Sequence, residues 1–214
     1  MHRTCLLTFV LMSSALFVKA AGLGTSREFL VARQALADGL PEVAALKAER
    51  LLPLKTWTRA ETRQLATFAA EAWTRASNAP RVLKLAEAHD LEEETFWRAQ
   101  ALVLEGDLAA AREELASSKE ARGAKARLLL AQILTALGEH DAAHDEIEPL
   151  TTTGSAEERR HANLLLAEIE INSGRVHAAL QRLGDGAGTD DPAASLLRAR
   201  GHLLSNDGKL AREE

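Results

Sequence analysis

The chain has 214 residues, a formal net charge of −5 at pH 7, and a composition that is 46% hydrophobic and 27% charged. This balance is too apolar for a fully disordered chain, and the negative charge argues against a nucleic-acid binder, which usually has a basic surface. A single Cys excludes a disulfide scaffold and a zinc site built from thiolates. About one residue in five is Ala, whereas only 4% are aromatic, so the side chains that usually fill a core are scarce.

The first 20 residues have the three-part pattern of a secretory signal peptide. His2 and Arg3 give a polar, basic start, an uncharged apolar run covers 5–18, and small residues precede a cleavage point after Ala20. The run of 14 residues is shorter than the roughly 20 that a membrane-spanning helix needs. We therefore predict a signal peptide at 1–20 that is cleaved, a periplasmic or secreted location, and no stable membrane anchor after cleavage.

From Ser26 onward, apolar residues recur at spacings of three and four, which is the period of an amphipathic helix. Glycines recur between these helices, and the last four of them are separated by 32, 36 and 34 residues. Paired helices that repeat with a period near 34 residues indicate a helical solenoid. The glycines are Gly39, Gly106, Gly138, Gly174 and Gly208. The predicted helix pairs are at about 25–52, 58–88, 92–118, 121–150, 156–184 and 192–214.

Small residues recur at fixed distances from these glycines. Seven positions before them stand Ala32, Ala99, Ala131, Ala167 and Gly201, and five positions after them stand Ala44, Ala111, Ala143 and Ala179. Two antiparallel helices joined by a tight turn need small side chains where their backbones come closest, and Gly allows a left-handed turn at low steric cost. The second pair has no such Gly, so we predict that Ser77 or Asn78 forms its turn.

Residues that start helices agree with this register. We predict capping boxes at 58–61 and 155–158, and a helix that begins with Asp191 as the N-cap and Pro192 at the first helical position. The Gly-rich stretch 184–190 is predicted to be the longest flexible loop. The five prolines are expected between helices or in a first turn, where a missing N–H has no cost: Pro41, Pro53, Pro80, Pro149 and Pro192.

This pattern resembles the tetratricopeptide repeat (TPR), whose 34-residue unit has a small residue at position 8, Gly at 15 and Ala at 20. Ala131, Gly138 and Ala143 match these positions in one unit. The family's aromatic positions are mostly aliphatic here, and its Pro near the end of the unit is missing. The resemblance implies an all-α, right-handed solenoid of helical hairpins over 21–214, with about five to six TPR-like repeats after the signal peptide.

The resemblance also implies a binding groove, because positions 5 and 9 of the first helix in each TPR unit face the partner peptide. Some arrays bind a chaperone's C-terminal carboxylate with Lys at position 5 and Asn at position 9, and neither is present here. An alternative interpretation is that the Phe and Leu residues simply pack between repeats. The candidate groove residues are Phe29, Arg33, Phe96, Gln100, Leu128, Gln132, Leu164, Glu168 and His202.

No nucleophile, P-loop or dinucleotide motif is present in the sequence, so we expect neither catalytic residues nor a cofactor. His140 and His144 lie four residues apart and could share one helix face as zinc or nickel ligands. However, a third ligand and an HExxH motif are missing. We therefore interpret one His as packed and the other as solvated, without a metal site.

The function predicted from these features is that of an exported, non-enzymatic scaffold. Its concave groove would bind a protein or peptide partner. The alternative is the helical superstructure of a cell-envelope enzyme, such as a lytic transglycosylase, with its catalytic domain beyond Glu214. Only six residues follow Gly208, too few for a partner helix, so we expect the solenoid to be incomplete at its C-terminus. Sequencing the gene past Glu214 tests this expectation, which an immediate stop codon would contradict.

Overall fold

The computed structural model describes residues 22–54, 56–89, 91, 93–117, 123–186 and 191–205. Over these residues the chain is helical and has no strand, which confirms the predicted fold class. A short 3-10 helix, Leu23–Thr25, comes first. The α-helices are α1 Arg27–Ala37, α2 Pro41–Leu51, α3 Arg59–Arg75, α4 Ala79–His89, α5 Glu94–Glu105, α6 Leu108–Ser117, α7 Ala124–Ala136, α8 His140–Ile147, α9 Leu150–Thr153, α10 Ala156–Asn172, α11 Val176–Gly186 and α12 Pro192–Leu204. The predicted signal peptide at 1–20 lies outside the described residues.

The helices pack in consecutive pairs and form an all-α solenoid. The pairs are α1 with α2, α3 with α4, α5 with α6, α7 with α8, and α10 with α11. First helices of neighbouring pairs also contact each other: α3 contacts α5, α5 contacts α7, α7 contacts α10, and α10 contacts α12. Each pair is therefore stabilised mainly by its neighbours, as in other repeat proteins. The second helix predicted after Gly208 falls outside the described residues.

Two elements differ from the sequence prediction. The one-turn helix α9 was not predicted; it follows Pro149 and buries Leu150, whose side chain is 6% exposed. The predicted loop at 184–190 is wrong at its start, because α11 continues to Gly186. A glycine costs only about 1 kcal/mol in a helix. Leu183, which is 1% exposed, keeps the preceding turn packed against the core.

The turns between paired helices have the predicted left-handed backbone. Gly39, Gly106, Gly138 and Gly174 have φ values of +76°, +85°, +81° and +80°. In the second pair the turn residue is Ser77, with φ of +55°. There the backbone N–H of Asn78 donates to the carbonyl of Trp73 at 3.0 Å, the six-to-one bond of a Schellman motif. Ser77 therefore occupies a conformation that glycine adopts at lower cost.

We expect Ser77→Gly to stabilise the protein by about 0.5–1 kcal/mol, because the left-handed conformation is strained for a residue with a Cβ. Gly138→Ala should destabilise it by about 1 kcal/mol for the same reason. Among the described residues, no atom beyond Gly138 and its two chain neighbours lies within 4 Å of a Cβ added there, so the effect is conformational and not steric. Urea unfolding of the two variants checks this prediction. A loss of stability in Ser77→Gly would contradict it.

Small residues lie where the paired helices meet, as the sequence predicted. Eight alanines at the two fixed offsets are all 0% exposed: Ala32, Ala44, Ala99, Ala111, Ala131, Ala143, Ala167 and Ala179. In α12 the equivalent residue is Gly201, where a Cβ would lie 2.8 Å from Cδ2 of Leu180. The abundance of Ala thus reflects the close approach of helix backbones in each pair.

Both predicted capping boxes are present, and one of them also anchors the start of the described chain. The Glu61 carboxylate accepts hydrogen bonds from the backbone N–H of Thr58 and of Leu23, each at 2.9 Å. These bonds, with that from the Thr58 hydroxyl, lower the pKa of Glu61 below its usual value. At α12, Asp191 caps the helix by accepting from the N–H of Ala193 at 3.0 Å.

The lowered pKa of Glu61 predicts a pH-dependent contribution to stability. A carboxyl group whose pKa is lower in the folded state stabilises the fold above its unfolded pKa, and this contribution is lost as the pH falls through the folded pKa. We expect Glu61→Gln to be less stable than the wild type near neutral pH, with the difference shrinking as Glu61 becomes protonated. Urea unfolding at neutral and acidic pH measures this difference. A difference that stays constant with pH would contradict the prediction.

Candidate functional site

The first helices of the pairs surround three depressions, which form two groove segments and are lined by most of the predicted groove residues. We call the first the N-terminal groove segment; it comprises a depression of about 630 Å³ and a smaller one of about 220 Å³ that share Glu71, Trp97 and Lys125. We call the second the C-terminal groove segment, with a volume of about 490 Å³. The N-terminal segment is lined by Phe29, Arg33, Ala60, Arg63, Gln64, Thr67, Phe68, Glu71, Thr74, Arg75, Glu93, Phe96, Trp97, Gln100 and Lys125. The C-terminal segment is lined by Leu128, Gln132, His161, Leu164, Leu165, Glu168, Ala193, Leu196, Leu197 and Arg200.

Aromatic rings contribute to the wall of the N-terminal groove segment. Phe29 and Phe68 pack edge to face with their ring centroids 5.2 Å apart, and Phe96 and Trp97 do so at 5.1 Å. Phe29 is only 4% exposed and Trp97 likewise, so these rings are held firmly by the core. The result is a rigid apolar wall, which suits the anchoring of an apolar side chain.

Charged side chains surround those rings. Arg33, Arg75 and Lys125 are exposed, and so is Glu71. Glu93, the N-cap residue that precedes α5, has a left-handed conformation with φ of +61°. Its carboxylate oxygen Oε1 would lie 2.8 Å from a Cβ added at Gly123, so Gly123 leaves room for this carboxylate beside the depression.

The C-terminal groove segment is more aliphatic. Leu164, Leu165, Leu196 and Leu197 line it, and Leu196 is 72% exposed. The guanidinium of Arg200 at its edge donates to Oδ1 of Asn172 at 2.8 Å, which holds it on the α10 side. The two segments therefore differ in chemistry: one is aromatic and charged, and the other is aliphatic.

Eight of the nine predicted groove residues line these segments. Phe29, Arg33, Phe96 and Gln100 line the N-terminal one, while Leu128, Gln132, Leu164 and Glu168 line the C-terminal one. The alternative of simple core packing holds in part, because Phe29 is buried and the other apolar members are half-buried. His202 is half-buried and lies outside both sets of lining residues.

The groove residues of α3 were not predicted, because that unit has no Gly from which to count positions. Leu128 and Gln132 stand ten and six positions before the turn residue Gly138. The same offsets from Ser77 give Thr67 and Glu71, and both line the N-terminal groove segment. Counting from Ser77 would therefore have identified them.

An ion pair between α10 and α11, whose carboxylate is buried and whose guanidinium is half-buried, was not predicted either. Glu170, whose side chain is 5% exposed, accepts a hydrogen bond at 2.8 Å from the guanidinium of Arg182. Glu170 lies four residues after the buried Leu166, and this spacing places it on the buried face of α10. The pair does not line either groove segment, so we regard it as a structural element.

The two histidines considered as metal ligands are both half-buried, so the expected division into one packed and one solvated side chain is wrong. Nδ1 of His144 lies 3.7 Å from a carboxylate oxygen of Glu148. Within the described ranges, no group of three or more His, Cys, Asp or Glu side chains could hold a metal ion. The same part of the chain contains no helix long and apolar enough to cross a membrane.

Comparison with known proteins adds no family. No protein-family model matches the chain, and no curated protein matches it. The site is therefore supported by its geometry: residues at equal offsets from successive turns line the depressions of the two groove segments.

Proposed function

We propose that this protein is an exported, TPR-like scaffold that binds an extended segment of a partner protein in the two groove segments and has no catalytic activity of its own. The observation that supports the proposal most is the repetition of the site. Side chains ten and six positions before the turn residues of α3 and α7 line depressions between neighbouring first helices. In a solenoid, equivalent side chains of successive repeats face the same groove, so an extended peptide can make a similar contact with each repeat.

The TPR-like part of the proposal is supported by the shared register of turns and small residues. Gly106, Gly138 and Gly174 all have left-handed backbones, and the small residues at the two fixed offsets from each of them are fully buried. The register covers the middle of the chain, where the spacing of 32 and 36 residues is close to the family's period.

The chemistry of the groove segments suits a peptide. Buried rings and half-buried leucines would accept apolar side chains and exclude water, and exposed amides such as Gln64 and Gln132 could bond a peptide backbone. Since most lining residues lie on helices, little backbone conformational entropy would be lost on binding. Affinity would come from a few anchor residues and specificity from the polar edge.

Export is proposed from the pattern at 1–20 alone. N-terminal sequencing of the protein recovered from its native cells tests this part. We expect the mature chain to begin near Ala21. Recovery of a chain that retains the apolar run would contradict cleavage.

Photo-crosslinking tests the groove itself. A photoreactive amino acid at Gln64 or Gln132, both exposed and in the groove segments, should crosslink a partner in native extracts. The control positions for the photoreactive amino acid are Lys84 in α4 and Glu113 in α6, which are exposed on second helices. We expect crosslinks to the partner from the two glutamine positions only. Equal crosslinking from Lys84 and Glu113 would contradict binding in the groove.

A further inference from the structure

The N-terminal groove segment has an excess of positive charge in a protein of net negative charge. Among the described residues, four cations line it, against two carboxylates, Glu71 and Glu93. The whole chain has a net charge of −5. The charge of these described lining residues is therefore opposite in sign to the net charge of the chain.

Arginines at other contacts between helices are paired with carboxylates. Arg81 bonds Glu49 at 3.0 Å, Arg112 bonds Glu139 at 2.7 Å, and Arg127 bonds Glu146 at 2.7 Å. These pairs connect helices and neutralise charge within the fold. They show how the chain uses arginine where its role is structural.

Three of the groove cations lack such pairing. Within the described ranges, Arg33, Arg75 and Lys125 form no ion pair. Glu71 stands one helical turn before Arg75, a favourable spacing for a pair, but the two side chains do not make one. Exposed charges that hold no helices together, and that surround a rigid aromatic wall, are available to a ligand.

We propose that the N-terminal groove segment binds an acidic stretch of the partner protein, with carboxylates against Arg33, Arg75 and Lys125 and an apolar side chain against Phe68 and Trp97. Aliphatic residues of the same stretch would occupy the C-terminal groove segment. This inference rests on the proposed function and specifies the partner's chemistry. A polyphosphate such as a nucleic acid is disfavoured, because two carboxylates lie in the same segment and the protein as a whole is acidic.

The charge complementarity predicts particular binding behaviour. Opposite charges at an exposed surface increase the association rate and are weakened by salt. A labelled peptide of this kind should therefore bind more weakly as ionic strength rises. Reversing two of the cations should reduce its affinity at least tenfold, whereas reversing two cations elsewhere should change it less than twofold.

A random peptide display library, selected on the purified protein, tests the inference. We expect the selected peptides to be enriched in Asp and Glu together with Leu or Phe. One of them, resynthesised and labelled, should lose affinity in the double variant Arg33→Glu with Lys125→Glu. The matched control is Arg27→Glu with Arg50→Glu, two exposed arginines outside the groove segments, which produces the same change in net charge. Circular dichroism verifies that both variants are folded.

The experiment distinguishes failure of the acidic-partner inference from failure of the proposed function. If selected peptides are neutral or basic but lose affinity in Leu196→Asp, the groove binds peptides and the acidic partner is wrong. If acidic peptides bind equally to both double variants, the proposed binding site in the N-terminal groove segment is wrong. If no peptide is enriched, the proposed function itself is contradicted. A labelled oligonucleotide that binds more tightly than any selected peptide would overturn the inference in favour of a nucleic acid.

Discussion

Arg182→Ala is expected to destabilise the protein by about 3–5 kcal/mol, because it leaves the carboxylate of Glu170 buried without its partner. In the wild type, the guanidinium of Arg182 reaches both carboxylate oxygens of Glu170 at 2.8–3.2 Å. Its Nη1 also lies 3.5 Å from Oδ1 of Asn163. Removing one member of such a pair costs much more than the pair itself contributes, since the remaining charge is neither solvated nor compensated.

Two controls separate this burial effect from the loss of any ion pair. Arg112→Ala breaks a pair whose side chains are 47% and 38% exposed, and it should cost at most about 1 kcal/mol. The double variant Glu170→Leu with Arg182→Leu removes both charges and should recover most of the lost stability. Urea unfolding gives the free energies of all three variants. Equal losses in Arg182→Ala and Arg112→Ala would contradict the burial argument.

Ala131→Leu is expected to destabilise the protein by about 1–3 kcal/mol, because the larger side chain has no room where α7 and α8 meet. Ala131 is 0% exposed and lies in a cluster with Ala143, Ile147 and Leu166. A leucine there must either shift α8 or adopt an unfavourable rotamer. The matched control is Ala136→Leu on the same helix, where the alanine is exposed, and it should change stability by less than about 0.5 kcal/mol.

Thermal or urea unfolding of the two alanine variants measures the difference. If Ala131→Leu were as stable as Ala136→Leu, small residues would not be required at the helix crossing, and the explanation of the Ala-rich composition would be wrong. In a solenoid the loss can also be local, because each repeat depends mainly on its neighbours. Hydrogen exchange should then be fastest in α7 and α8.

The fold could be predicted from the sequence because its determinants are local and repeated. The turn at Gly138, the buried Ala131 seven positions before it and the buried Ala143 five positions after it are separated by only a few residues. Each signal recurs in several units, so a weak pattern in one unit is supported by the others. The capping box at Ser155 similarly depends on contacts within one turn.

Features that depend on packing or on an altered repeat could not be predicted in the same way. The one-turn helix α9 forms because Leu150 is buried, which no local propensity indicates. The pair of Glu170 with Arg182 depends on the approach of two helices. The groove residues of α3 could not be predicted because Ser77 replaces the usual Gly at the turn, although Ser77 adopts the same left-handed backbone conformation.

Hydrogen–deuterium exchange on the protein bound to its partner, or to a selected peptide, tests the central claim most directly. We expect binding to slow exchange in the first helices that line the groove segments, chiefly α3, α5, α7 and α10, and to leave the second helices α4, α6 and α8 unchanged. This pattern would locate the ligand in the groove. Protection confined to the second helices, or spread evenly along the solenoid, would contradict the account.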